Sequence, residues 1–222
     1  MLIPAGKFNT QLKAIQDILI EIKLHNERNY LKGNFTPSDF RNKSYIENWQ
    51  TYISQNYYDF LLEDSSIFLF KNEAQTGSYI YFECPYECQT YEDFGEQNSF
   101  GKHEDYKDLY YEYLMECNVK EAPLMIRYDY DHLSYKEGFH PASHFHIGFN
   151  NNTRIGIPHI INPLTFVLFI IRQHYNTKWL SFIDSDHYQN KLKSTYLKHK
   201  STNEAISEDN WKQLDISELH FI

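Results

Sequence analysis

The stretch "IRYDYDHLSYKEGFHPASHFHIGF", Ile126 to Phe149, concentrates one Arg, two Asp, one Glu and four His in two extended pieces and a loop. These residue types titrate, ligate metals and pair with phosphate. Side chains on a strand point alternately to opposite faces. Arg127, Asp129 and Asp131 therefore share one face of the first piece, and Ile126, Tyr128 and Tyr130 share the other. On the second piece His144, His146 and Gly148 oppose Phe145, Ile147 and Phe149. An antiparallel hairpin closed by residues 132–143 puts both apolar faces on one side. The expected register sets Asp131 opposite His144, Asp129 opposite His146 and Arg127 opposite Gly148, where the missing side chain leaves room for a ligand. The loop adds His132 and His140, with Pro141 restricting the latter.

Two chemistries want such a patch. A divalent metal would take nitrogens from His144 and His146 and an oxygen from Asp129 or Asp131, activate water and polarise a phosphoryl oxygen. Without a metal, two histidines serve as base and acid about a phosphodiester, a carboxylate orients one imidazole, and an arginine steadies the developing charge. In RNA the 2′-hydroxyl supplies the nucleophile. The metal-free scheme is the expectation, because no third histidine has an evident rigid position. It assigns His144, His146, Asp129, Asp131 and His140 to catalysis, and Arg127 and Arg154 to substrate binding. The same groups also read as a polar network that fixes register by satisfying its own hydrogen bonds.

Other motifs carry less. Cys84 and Cys88 form C-x-x-x-C without a second ligand pair and read as two thiols near a strand end. Arg172 and His174 complement the carbonyl end of a helix. No glycine-rich phosphate loop and no G-x-S-x-G is present.

The elements that must position the patch follow from periodicity. Phe8, Leu12, Ile15, Leu19 and Ile22 predict a helix over 7–25. A second is expected from Thr36, as N-cap before Pro37, to about Asn56. "YYDFLLE", "SIFLFKN" and "SYIYFECPY" read as three antiparallel strands. Residues 86–105 read as a long acidic loop, and "YKDLYYEYLMEC" reads as a strand on its aromatic density. "NPLTFVLFIIRQHYN" is an apolar helix capped by Asn162. The result is one α+β domain: N-terminal helices over 1–56, a central, mostly antiparallel sheet over 57–160, and C-terminal helices over 161–222, the helices packed on one face.

The 222 residues carry a net charge of −9, which argues against a broad grip on a nucleic-acid backbone but not against a local phosphate site. Aromatics make up 17%, so the core is built on rings. Three cysteines and no secretion signal predict a cytoplasmic protein, and no apolar run is long enough for a membrane span.

"IRYDYD", "HPASHFHIGF", "RIGIP" and "PLTFVLFIIRQHY" together resemble an uncharacterised bacterial family, a domain of unknown function with an R-x-D-x-D strand and an HP-x-SH-x-H segment. They are also similar to small histidine-rich, toxin-like proteins of toxin–antitoxin pairs. The resemblance implies a nucleic-acid-cleaving or phosphoryl-chemistry effector in stress or phage defence; joined to the residue chemistry above, the expectation is a bacterial effector that cleaves phosphodiesters in the manner of an RNase, with RNA and a protein partner encoded in the same locus as its partners. The alternative is a non-catalytic subunit or immunity partner of a multi-gene defence complex, to which abundant Tyr and Phe would supply interface anchors.

Overall fold

A computed structural model describes residues 2–30, 42–101, 105–150, 153–194 and 204–217. Its described strands form a seven-stranded antiparallel sheet in which sequence neighbours are sheet neighbours: β1 (His25–Arg28), β2 (Phe60–Leu62), β3 (Ile67–Asn72), β4 (Thr76–Phe82), β5 (Met125–Asp131), β6 (Ser143–Ile147) and β7 (Ile155–Gly156). Helices stand at both ends of the chain, as an α+β class requires. The chain divides into two compact units, described in turn.

The first unit comprises residues 1–22, 70–80 and 126–222. Its helix α1 (Ala5–Glu21) buries Leu12, Ile15, Ile18 and Leu19 at helical spacing, and it packs on α5 (Pro163–His174). Helix α1 ends before the expected residue 25, because Lys23 takes a left-handed φ of 53°. In α5 the Asn162 side chain accepts from Thr165 N, and Pro163 occupies the first turn. Burial of Leu164, Phe166, Val167, Leu168, Ile170 and Ile171 makes α5 the centre of this core. Phe70, Tyr79 and Phe145 meet Phe166 from β3, β4 and β6, so one face of these strands is sealed by α5. Helix α6 (Asn176–Ile183) follows. At the chain's far end Ile206 N donates to Pro158 O, and a short helix spans Gln213–Ser217.

The second unit comprises residues 23–69 and 81–125. Strand β1 had no counterpart among the sequence expectations; its four residues "HNER" are all half-buried and lack an apolar alternation. Helix α2 (Tyr45–Ser54) starts with a capping box: Ser44 Oγ accepts from Glu47 N, and Glu47 accepts from Ser44 N. The helix is therefore shorter than the expected one, and the cap anticipated at Thr36 lies outside the described residues. The stretch expected as an acidic loop contains α3 (Tyr91–Gln97), with Thr90 capping and Glu92 and Asp93 in its first turn; here the acidic charge complements a helix N-terminus. The aromatic stretch expected as a strand is α4 (Lys107–Glu116). Its buried Tyr110 and Leu114 are four apart, and its rings gain helical rather than pleated partners, with Tyr113 stacked on Phe94.

Candidate functional site

The site is built within the first unit on the β5–β6 hairpin. The two strands pair with Arg127 opposite His146, Tyr128 opposite Phe145 and Asp129 opposite His144. The expected register is corrected by two residues. Face segregation survives, because a two-residue slip restores the pleat. Gly148 lies beyond β6 at φ 92° and so does not face Arg127. Asp131 is drawn into the turn: its carboxylate accepts from Leu133 N, Ser134 N and Ser134 Oγ, which closes the hairpin and leaves His144 to Asp129.

Tyr128 and Phe145 occupy the sealed face. The opposite face opens on a pocket of about 310 Å³ lined by Arg127, Asp129, Asp131, His140, His144, His146 and Arg154 from the expected set. Lys71, Thr76, Gly77, Ser78, Tyr130 and Ser134 complete it. Lys71 and Ser78 were not anticipated; they come from strands remote in sequence. Their only signal is that Ser78 alternates with the apolar Tyr79 in β4. His132 does not line the pocket; its ring stacks on Tyr130.

At the centre, His144 Nδ1 lies 2.8 Å from Pro141 O. A carbonyl only accepts, so in the neutral ring Nδ1 carries the proton and Nε2 presents a lone pair. That Nε2 lies 3.1 Å from His146 Nε2. Asp129 Oδ2 lies 3.5 Å from His146 Nε2 and 4.0 Å from His144 Nε2. Arg127 Nε donates to the same Oδ2 at 2.7 Å, and Ser78 Oγ donates to Oδ1 at 2.7 Å. Burial lowers the His144 pKa to about 4, so the ring is neutral at pH 7. Burial pushes Asp129 up, but the bond from His146, the Arg127 charge and the Ser78 bond outweigh it and hold the carboxyl at about 2.

The loop is fastened from outside the hairpin. Tyr135 Oη and Gly138 N donate to the buried Asp215 carboxylate. Pro141 and Trp211 both approach Gly156 of β7, where an added Cβ would lie 3.1–3.2 Å from them and crowd both. These contacts keep the Pro141 carbonyl against His144. His140 is set edge-on to His144, with Nδ1 buried and lacking a hydrogen-bond partner among the described residues. Burial, then the Arg154 charge, lower its pKa.

The remaining candidates stay outside. Cys84 and Cys88 belong to the second unit, both free, with their sulfurs 4.0 Å apart. Arg172 and His174 occupy the last turn of α5, as their interaction with its dipole requires.

The arrangement offers three cations against two carboxylates, around two imidazoles whose Nε2 atoms converge on one point. It is suited to an anionic ligand and to an oxygen atom in need of activation. Among the described residues, no helix is long and apolar enough to cross a membrane. No curated protein and no solved structure matches the chain. A family described as an uncharacterised conserved protein, DUF2290, matches residues 10–217, and the chain belongs to it.

Proposed function

We propose that the hairpin pocket binds a phosphodiester and cleaves it, with RNA as the polymer. One observation carries this reading: in a chain of net charge −9, Lys71, Arg127 and Arg154 gather around a pair of converging imidazoles. Guanidinium groups match phosphate oxygens in a planar fork. The separation of 3.1 Å between the two Nε2 atoms is too small for a phosphorus and its oxygens to lie between them. His144 and His146 therefore act from one side, on the attacking oxygen; Arg154 binds the phosphate, and Arg127 steadies the charge that develops. In this reading Asp129 orients the imidazoles, and His140, edge-on to His144 at the pocket wall, serves the leaving group. An effector role in defence or stress, a bacterial cytoplasmic setting and a partner from the same locus belong to this proposal, and they rest on the likeness to toxin-like proteins.

The test is cleavage of end-labelled RNA, and of a chromogenic phosphodiester, by wild type and by a His144→Ala/His146→Ala variant shown by circular dichroism to be folded. Cleavage by wild type and its loss in the variant support the reading. Equal cleavage by both, or none by wild type over a panel of RNA and DNA substrates, sinks it.

A second reading has its own observation. Leu133 and Phe139 stand 71% and 74% exposed on the site loop. Large apolar side chains left in water beside a pocket mark an interaction surface, which suits a non-catalytic subunit. Leu133→Ser/Phe139→Ser would then abolish co-purification with a product of a neighbouring gene while leaving RNA untouched.

A further inference from the structure

We infer that Asp129, His144 and His146 form a seat for one divalent first-row transition-metal cation. Their ligand atoms all lie within 4.8 Å of one another. Two ligands about 2.1 Å from one ion stand roughly 3.0–3.4 Å apart between right-angled and tetrahedral geometry. Of the observed separations, 3.1 Å falls inside that range, while 3.5 and 4.0 Å lie above it and close onto it with small side-chain rotations.

The surroundings are those a metal ligand needs. The Pro141 carbonyl takes the His144 Nδ1 proton and fixes Nε2 as the free donor. Ser78 and Arg127 hold the two carboxylate oxygens of Asp129. Oδ2 has lone pairs enough for both Arg127 and an ion. His144 is 2% exposed and His146 5%, so an ion bound there is shielded from bulk water on the protein side and reached from the pocket. Two nitrogens and one oxygen suit zinc, manganese, iron or cobalt better than calcium or magnesium. Three protein ligands leave positions open, the pattern of a working centre rather than a structural one. An ion there would supply an activated water and a Lewis acid for a phosphoryl oxygen. The inference bears on the phosphodiester reading, because with the ion bound His144 and His146 serve as ligands and a metal-activated water takes over their work on the attacking oxygen; it stands on geometry that does not require that reading.

The experiment uses the full chain, stripped of metal with a chelator and dialysed. Zn²⁺ is titrated by calorimetry and followed by thermal shift, and Co²⁺ by its visible absorption. Expected are one equivalent bound, a rise in Tm from preferential binding to the folded state, and cobalt bands of nitrogen–oxygen coordination. Asp129→Asn and His144→Gln each weaken binding at least about 100-fold. Cys88→Ser, which removes the other plausible zinc donor, leaves binding unchanged. No stoichiometric binding, or binding lost in Cys88→Ser but retained in the hairpin variants, overturns the inference. Should the hairpin variants fail to fold, ¹⁵N spectra of wild type decide: Zn²⁺ must shift Nε2 of His144 and His146 while the His144 Nδ1 proton persists, and unmoved signals overturn it. Zinc bound without any phosphodiester cleavage defeats the proposed function and leaves the metal seat. Cleavage by a stripped protein that also takes up no Zn²⁺ does the reverse.

Discussion

Two acidic residues borne on or beside strands, one in each unit, have opposite surroundings. Glu83 follows β4 in the second unit and is 7% exposed. Its Oε1 accepts from Lys120 Nζ at 2.6 Å and its Oε2 from Leu124 N at 2.6 Å. Tyr45 Oη donates to the carbonyls of Glu83 and Leu124, and Leu124 O also receives Glu83 N. Both carboxylate oxygens of Glu83 and the two carbonyls beside it therefore have donors. Asp129 is bonded by Arg127, Ser78 and His146, but the last of these also meets His144 nitrogen to nitrogen, and a pocket opens over them. A closed polar circuit builds structure; ionisable groups that converge on one point beside an opening are arranged for something that is brought in.

Substitutions can break this contrast, and the largest effect is expected in catalysis. Asp129→Asn keeps a partner for Ser78 but loses the anionic oxygen, and it should lower phosphodiester cleavage by about 100-fold or more, within the range for removing a positioned acid–base group. Single-turnover rates on labelled RNA measure it. Its stability loss should be smaller than that of Glu83→Gln, since Arg127 is 38% exposed and regains water.

Glu83→Gln should cost about 2–3 kcal/mol of stability, because it leaves the half-buried Lys120 without its counter-charge. Urea unfolding followed by circular dichroism checks this, and activity per folded molecule should stay at the wild-type level. If Glu83→Gln instead abolishes cleavage without unfolding the chain, the contrast between the two carboxylates is void.

Arg154→Ala sharpens the picture within the pocket. It should raise KM about tenfold with little change in kcat, as expected when a phosphate contact serves ground state and transition state alike. Steady-state kinetics at two ionic strengths would show a weaker salt dependence in the variant. The smallest effect belongs to the second unit's local design: Ser44→Ala removes one arm of the α2 capping box and should cost about 1 kcal/mol, read from the urea midpoint.

Sequence patterning anticipated the α+β class, α1, α5 with its Asn162 cap, and the two strands of the hairpin. It failed where one local signal has two readings. Aromatic density in "YKDLYYEYLMEC" suits a strand face or a helix face equally; the four-residue spacing of Tyr110 and Leu114 decides it, once Phe94 of α3 meets Tyr110 edge-on and stacks on Tyr113. Strand β1 was missed because it carries no apolar alternation. The hairpin register was off by two, since the turn could take Asp131 for itself only after Ser134 was placed to donate to it.

By itself, the order of residues determined which side chains share a face. Alternation along a strand has a period of two and needs no knowledge of the rest of the chain, so Arg127, Asp129, His144 and His146 were assigned to one surface from their positions alone. Only the tertiary structure decided which of them meet. It set Asp129 rather than Asp131 against His144, brought Ser78 and Lys71 from strands some fifty residues away, and aimed the Pro141 carbonyl at an imidazole nitrogen. Register and side-chain aim depend on turns and packing that link distant segments, and those energies are absent from any short window of sequence.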